Sequence, residues 1–126
     1  MTFKPQHALV WAEIPVSDLN KAMKFYGTVF QYDLSIDDTG PNPIAMLPTA
    51  DFATGIGGHL YPGKPAPSGT GPTVHLAVPD TLEATVARFR DAGGDVTADD
   101  PVKIPFGRFT YGTDPDGNSI GMFEAA

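Results

Sequence analysis

A strand–aspartate–helix unit that occurs twice constrains this chain more than any other feature. Val16-Ser-Asp18 and Val78-Pro-Asp80 each follow a short apolar segment and precede apolar residues at helical spacing. Asp18 predicts the N-cap of the first helix. Asp80 with Glu83 predicts a capping box for the second, and Gly93-Gly94 predicts its stop. Two copies of a unit this size predict a duplicated supersecondary structure.

Each half of the chain is interpreted as β-α-β-β-β. The two helices are predicted over about 18–28 and 80–92. Strands are predicted over about 8–16, 31–37, 44–47, 54–61, 73–78, 95–104 with a break before Pro101, 108–113 and 119–124. This order predicts an α+β fold, with residues 1–126 as one domain in which two βαβββ modules form a curved mixed-sheet cup with the helices outside. The modules are expected at about 8–61 and 73–124, joined by a Pro- and Gly-rich linker at about 62–72.

Charge and composition limit the kinds of partner and the location that can be expected for this protein. Fifteen Asp and Glu against eight Lys and Arg give a net charge of −7, which argues against nucleic acid as a partner and permits a cationic ligand. No apolar run is long enough to span a bilayer, so no membrane role is expected. The chain has no cysteine, and a cytoplasmic location is the expectation.

Several motifs together resemble the vicinal oxygen chelate superfamily, which includes glyoxalase I, extradiol dioxygenases, and bleomycin and fosfomycin resistance proteins. The motifs are Ile14-Pro-Val-Ser-Asp-Leu19 with Phe25-Tyr26 and Phe30, then Val78-Pro-Asp80, Ala92-Gly-Gly94, and Asp114-Pro-Asp-Gly-Asn118 before Ile120. Within that superfamily the segment Trp11-Ala-Glu-Ile-Pro-Val16 most resembles a branch related to lactoylglutathione lyase. The resemblance implies the paired βαβββ fold but no single reaction, because one fold hosts many activities.

The resemblance also implies where a metal would be bound. The metal enzymes of the superfamily carry ligands on four strands, and counting from the shared motifs places those positions at Trp11, Gly57, Thr73 and Gly121. Trp and Gly have no metal-ligating side chain, and Thr is a poor ligand unless deprotonated. The usual metal site is therefore expected to be lost, and glyoxalase I activity is not expected.

Alternation along the strands predicts which side chains line the cup. The predicted ligand-binding residues are Trp11, Glu13, His59, Tyr61, Thr73, His75, Phe109, Tyr111 and Phe123. Aromatic rings in a cup suit a flat organic ligand, and a carboxylate suits a cationic one. The leading hypothesis is a glyoxalase-like protein that binds a small molecule without a cofactor. Glu13 is the candidate catalytic residue if the protein is an enzyme.

Two alternatives remain open. Glu13, His59 and His75 would form a relocated site for Zn, Mn, Ni or Fe in a lyase, isomerase or oxygenase. Alternatively, Trp11 and Phe123 would plug the cup, leaving a partner-binding module. A homodimer is expected under each hypothesis, because the superfamily pairs its modules within one chain or between two. Phe25 and Phe89 are predicted core residues of the two helices.

Overall fold

The computed structural model describes residues 2–98 and 100–126. Its elements follow the duplicated pattern, with one helix after the first strand of each half. In chain order they are β1 (Trp11–Val16), α1 (Leu19–Phe30), β2 (Ser35–Asp37), β3 (Ile44–Leu47), β4 (Gly57–Pro62), β5 (Val74–Ala77), α2 (Leu82–Asp91), β6 (Asp95–Val96), β7 (Val102–Ile104), β8 (Gly107–Thr113) and β9 (Ser119–Ala125). The predicted strand over 95–104 is thus two short strands, β6 and β7. No described helix has the length and apolar character that crossing a membrane requires.

The helix ends show which local predictions hold. Asp18 caps α1 as predicted, because its side chain accepts a hydrogen bond from the Lys21 backbone N–H. The predicted capping box of α2 is wrong: Thr81 is the N-cap, and its hydroxyl accepts from the Ala84 N–H. Asp80 instead binds Arg88 through two hydrogen bonds of 2.9 Å. Asp80 therefore binds a cation of the same helix, and the next residue along the chain is the N-cap.

The strands form two mixed sheets, one for each half of the chain. The first has the order β1-β4-β3-β2 and the second β5-β9-β8-β6, with β7 also paired to β8. β1 is an edge strand, a position that tolerates Pro15, and it runs parallel to β4. β5 likewise runs parallel to β9. The α+β class, the two modules and the mixed sheets agree with the predicted fold.

Glycine in β4 allows β1 and β4 to approach closely. A Cβ atom at Gly58 would lie 2.5 Å from the carbonyl oxygen of Ala12. No side chain fits there without moving the backbone of one strand. The predicted start of this strand at residue 54 is too early, because residues 52–54 form a turn and the strand begins at Gly57.

The two modules share one core, which lies between the sheets and the helices. Ile14, Val16 and Leu60 point to the α1 side of the first sheet and are buried. Ile120 and Met122 are buried on the corresponding side of the second sheet. Polar bonds also join the halves: Asn118 Nδ2 donates to the Pro15 carbonyl at 2.8 Å, and Arg88 Nε donates to the Val29 carbonyl at 2.9 Å. On the opposite face of each sheet, most side chains are partly buried or exposed.

Candidate functional site

On the first sheet, the face opposite α1 carries four of the predicted ligand-binding residues. Trp11, Glu13, His59 and Tyr61 define what we call the module-one face. They lie together because Trp11 pairs with Gly57, Glu13 with His59, and Pro15 with Tyr61 in the parallel β1–β4 register. Strand alternation puts these four on one side and the buried Ile14, Val16 and Leu60 on the other. The predicted strand phase of this half is therefore correct.

His59 is the centre of the module-one face. The indole Nε1 of Trp11 donates a hydrogen bond of 2.8 Å to His59 Nδ1. On the other side of the ring, Nε2 lies 3.2 Å from Glu13 Oε1. The His59 side chain is 12% exposed, whereas the Glu13 side chain is 67% exposed. His59 is thus a shielded ring between an indole donor and a carboxylate that reaches solvent.

A pocket adjoins this face and is acidic. It has a volume of about 390 Å³, and Glu13, His59 and Tyr61 line it together with Asp37 and Asn42. The Asp37 carboxylate accepts a hydrogen bond of 2.7 Å from the Thr39 hydroxyl and one of 3.0 Å from the Thr39 backbone N–H. These two bonds, the hydroxyl bond most of all, hold the pKa of Asp37 below its usual value. Asp37 is therefore an anion at neutral pH. The strand predicted over about 31–37 ends at Asp37, and nothing in its pattern indicates a pocket.

The second sheet carries the remaining aromatic residues. His75, Phe109, Tyr111 and Phe123 define the module-two face. The His75 ring packs edge-on against Phe109 and Tyr111, with ring centroids 5.1 and 5.6 Å apart, and Phe109 stacks on Phe123 at 6.3 Å. Partial burial against these neighbours lowers the pKa of His75, which favours the neutral imidazole.

The register of this sheet corrects one predicted position. Counting back from Val78 places the ligand position of this strand at Thr73, but the register partner of Gly121 is His75. The two copies of the unit differ in length, since α1 begins at Leu19, after Val16-Ser-Asp18, whereas α2 begins at Leu82, one residue later relative to Val78. A Cβ atom at Gly121 would overlap the His75 ring, which lies directly over this glycine. Thr73 instead precedes β5, with its hydroxyl 2.6 Å from the Ser119 hydroxyl.

The metal predicted as an alternative does not fit this arrangement. Of the positions at which the resemblance implies ligands, Trp11, Gly57 and Gly121 have no metal-ligating side chain, and the register partner of Gly121 is His75. The alternative set of Glu13, His59 and His75 does not assemble within one chain. Across residues 2–98 and 100–126, no three His, Cys, Asp or Glu side chains are grouped so that they could hold a metal ion.

The structure divides the predicted ligand-binding residues into two sets. Glu13 and His59 meet on the first sheet, whereas His75 lies on the second. Within the described part of the chain, no hydrogen bond or ring contact joins the two faces. Arg108, which precedes Phe109 in β8, forms ion pairs with Glu83 at 2.6 Å and Glu124 at 3.0 Å.

Solved structures with the same fold come from several proteins. A glyoxalase/bleomycin resistance protein from Albidiferax ferrireducens matches with a TM-score of 0.71 at 20% identity, over 95% of this chain and 100% of that chain. The fosfomycin resistance protein FosX from Listeria monocytogenes matches with a TM-score of 0.71 at 15% identity, over 98% and 94%. A glyoxalase I variant from Zea mays matches with a TM-score of 0.66 at 21% identity, over 91% of this chain and 45% of that one.

Sequence comparison gives the family. No curated protein sequence matches the chain. The model of the Glyoxalase/Bleomycin resistance protein/Dioxygenase superfamily matches residues 7–122, which is most of the sequence. The match agrees with the paired modules and with the resemblance of the motifs. The chain therefore belongs to the Glyoxalase/Bleomycin resistance protein/Dioxygenase superfamily.

Proposed function

We propose that this protein binds a small organic cation with an aromatic part, at a site lined by the module-one and module-two faces and without the superfamily's metal. The observation that carries the proposal is an accessible carboxylate, Glu13, set among aromatic rings on the free face of the sheet. A carboxylate pairs with the cationic group, and aromatic faces attract both cations and flat rings.

Exposure and charge support a ligand of this kind. Trp11 is 37% exposed, although an indole of this size gains free energy from burial. Phe109, Tyr111 and Phe123 are also only partly buried. The acidic pocket contains Glu13 and Asp37, and no Lys or Arg is among the residues that line it. An aromatic cation would cover the exposed aromatic surface and pair with the negative charge of the pocket.

A matched set of probes tests this function. We expect phenethylammonium to raise the melting temperature in a concentration-dependent way, because a ligand that binds only the folded form stabilises it by mass action. The neutral 2-phenylethanol is expected to give a smaller shift, and phenylacetate none. Thermal unfolding and isothermal calorimetry at constant ionic strength measure these differences.

Two charge-removing variants supply the controls for the probe experiment. Glu13→Gln is expected to abolish the preference for the ammonium over the alcohol, since it removes the carboxylate of the site. Asp33→Asn removes a charge from an exposed residue outside the acidic pocket and is expected to retain the preference. Equal responses to the three probes in the unmodified protein would contradict a cation site.

We propose further that two copies complete the site as a homodimer. The two faces lie on separate sheets, and neither is covered in the single chain. A two-fold axis that brings the module-one face of one copy to the module-two face of the other would create two equivalent sites. Such an arrangement would also cover the exposed part of Trp11.

Light scattering tests the assembly directly. The expected mass at micromolar concentration is twice the chain mass of 13.3 kDa. Phe109→Ser is expected to shift the population toward the monomer, because it places a hydroxyl in the interface and removes a ring. Phe106→Ser is the matched change at a residue that is 74% exposed in the β7–β8 turn and is expected to leave the mass unchanged. A mass near 13.3 kDa for the unmodified chain would contradict the dimer.

A further inference from the structure

We propose that His59 is a positioning residue whose proton regulates the module-one face: when the ring takes up a proton, it releases Trp11 and binds Glu13 more strongly. The proposal deepens the cation-binding function, on which its biological meaning rests, but the molecular event itself involves no ligand. Its basis is the geometry of three side chains on β1 and β4.

The hydrogen-bond partners of His59 determine which nitrogen of its neutral ring bears the proton. An indole N–H can donate a hydrogen bond but cannot accept one. Because Trp11 Nε1 lies 2.8 Å from His59 Nδ1, that nitrogen must present its lone pair. The proton of the neutral ring is then on Nε2, the nitrogen that lies 3.2 Å from Glu13 Oε1. The Trp11 contact therefore selects one tautomer, in which the polar N–H faces the carboxylate.

Proton uptake reverses one contact and strengthens the other. The second proton goes to Nδ1, which changes from an acceptor to a donor. Two N–H donors then face each other across the Trp11–His59 contact, so this hydrogen bond is lost. On the other side, the imidazolium and the Glu13 carboxylate become an ion pair, which is stronger than the contact with the neutral ring.

Trp11 is placed so that it can respond to this change. It is the first residue of β1, an edge strand, and its side chain is 37% exposed. The ring lies over Gly57, where an added Cβ atom would be 3.3 Å from the indole. The absence of a side chain at Gly57 allows the Trp11 ring to lie against the sheet. Because β1 is the edge strand, the ring can also turn toward solvent without unpacking the core.

The titratable side chains around His59 come from three strands. Glu13 faces it from β1, Tyr61 is its ring neighbour on β4, and Asp37 lines the same pocket from β2. On β3 its register partner is Met46, which does not titrate. A proton taken up on Nδ1 therefore breaks the Trp11 contact, while Nε2 keeps its contact with Glu13.

The consequence for the proposed function is a pH-dependent affinity. A Glu13 carboxylate that is paired with imidazolium is partly neutralised and competes less well for a ligand cation. Ammonium binding is then expected to weaken as the pH falls and His59 becomes charged. Trp11 would leave the site in the same step, so the aromatic contact and the carboxylate are lost together.

The chain has a single tryptophan, which makes the event directly observable without any ligand. As the pH is lowered through the range in which imidazoles titrate, we expect the emission maximum of Trp11 to shift to longer wavelength. The one indole N–H cross-peak in a ¹H–¹⁵N spectrum is expected to move in the same transition. Far-UV circular dichroism, recorded over the same range, is expected to stay constant and so to exclude unfolding.

Two histidine variants assign the transition. His59→Gln keeps a polar side chain that takes no proton, and the shift is expected to disappear. His75→Gln alters the histidine of the other face, and the shift is expected to persist. If His59→Gln does not fold, imidazole ¹⁵N shifts of the unmodified protein still report whether Nδ1 bears the lone pair at neutral pH. A proton on Nδ1 at neutral pH, a pH-independent indole, or an unchanged transition in His59→Gln would overturn the proposal. Failure of the phenethylammonium experiment alone would refute the cation site and leave this result intact.

Discussion

Replacing Phe89 with alanine is expected to lower the free energy of unfolding by about 3–5 kcal/mol, the usual range for an emptied aromatic core site. Phe89 has no exposed surface and packs edge-on against Phe25, with ring centroids 5.2 Å apart. This contact joins α2 to α1, so one substitution loosens the junction of the two modules. Phe25→Ala, at a residue that is 4% exposed, is expected to cost a similar amount.

The neighbours of Phe89 explain why the cavity would persist. The ring fills the space left by two glycines, and a Cβ atom at Gly112 would lie 2.6 Å from the Phe89 Cε1 atom. A glycine has no side chain that could turn into the hole left by the ring. When the surrounding residues cannot move into the cavity, the loss in free energy of unfolding lies at the upper end of the range for such substitutions.

Equilibrium denaturation in urea measures this effect, and Phe106→Ala is the matched control. Phe106 is 74% exposed, so the same chemical change is expected to cost less than about 1 kcal/mol. The denaturant slope should stay constant across the variants if only the folded state has changed. A loss under about 1 kcal/mol for Phe89→Ala would show that this face of α2 does not form the core.

Replacing Asp114 with alanine is expected to cost about 3–5 kcal/mol, because several buried donors would lose their acceptor at once. Asp114 is 4% exposed. It accepts from the Tyr26 hydroxyl at 2.6 Å, and from the Asp116 N–H, the Asn118 N–H and the Asn118 side-chain amide at 2.9 Å each. Burial, and then the nearby charge of Asp114, raise the pKa of Tyr26, so the phenol remains a donor at every ordinary pH.

Tyr26→Phe separates a single bond from the whole network. It removes the hydroxyl and leaves Asp114 with its three N–H donors, so the expected cost is about 1–2 kcal/mol. Thermal and urea denaturation of both variants give the comparison. If Asp114→Ala cost no more than Tyr26→Phe, the turn at 114–118 would not depend on this carboxylate, and the proposed network would be incorrect.

This network links a sequence motif to the junction of the modules. Asp114-Pro-Asp-Gly-Asn118 has the residue types of a turn between strands. In the structure its side chains also reach the first module: Asp116 accepts from the Ser17 backbone N–H at 3.2 Å and Asn118 donates to the Pro15 carbonyl at 2.8 Å. Turn residues reveal a local backbone shape, but the partner of each polar atom depends on what packs beside the turn.

Local chemistry determined the class of fold and the phase of the strands. The Asp18 cap, the apolar spacing that buries Phe25 and Phe89, and the alternation that places Trp11, Glu13 and His59 on one face depend on near neighbours in the chain. Near neighbours in the sequence were therefore enough to predict the two modules and the face of the first sheet on which Trp11, Glu13 and His59 lie.

The contacts between those elements depend on packing that no local pattern encodes. His75, not Thr73, lies beside Gly121 because strand register is a relation between two strands and is invisible in either one. The same holds for Trp11 and His59, which lie 48 positions apart in sequence. Alternation gives the face on which each side chain lies, but a hydrogen bond also requires the distance and angle between two strands, and packing sets both.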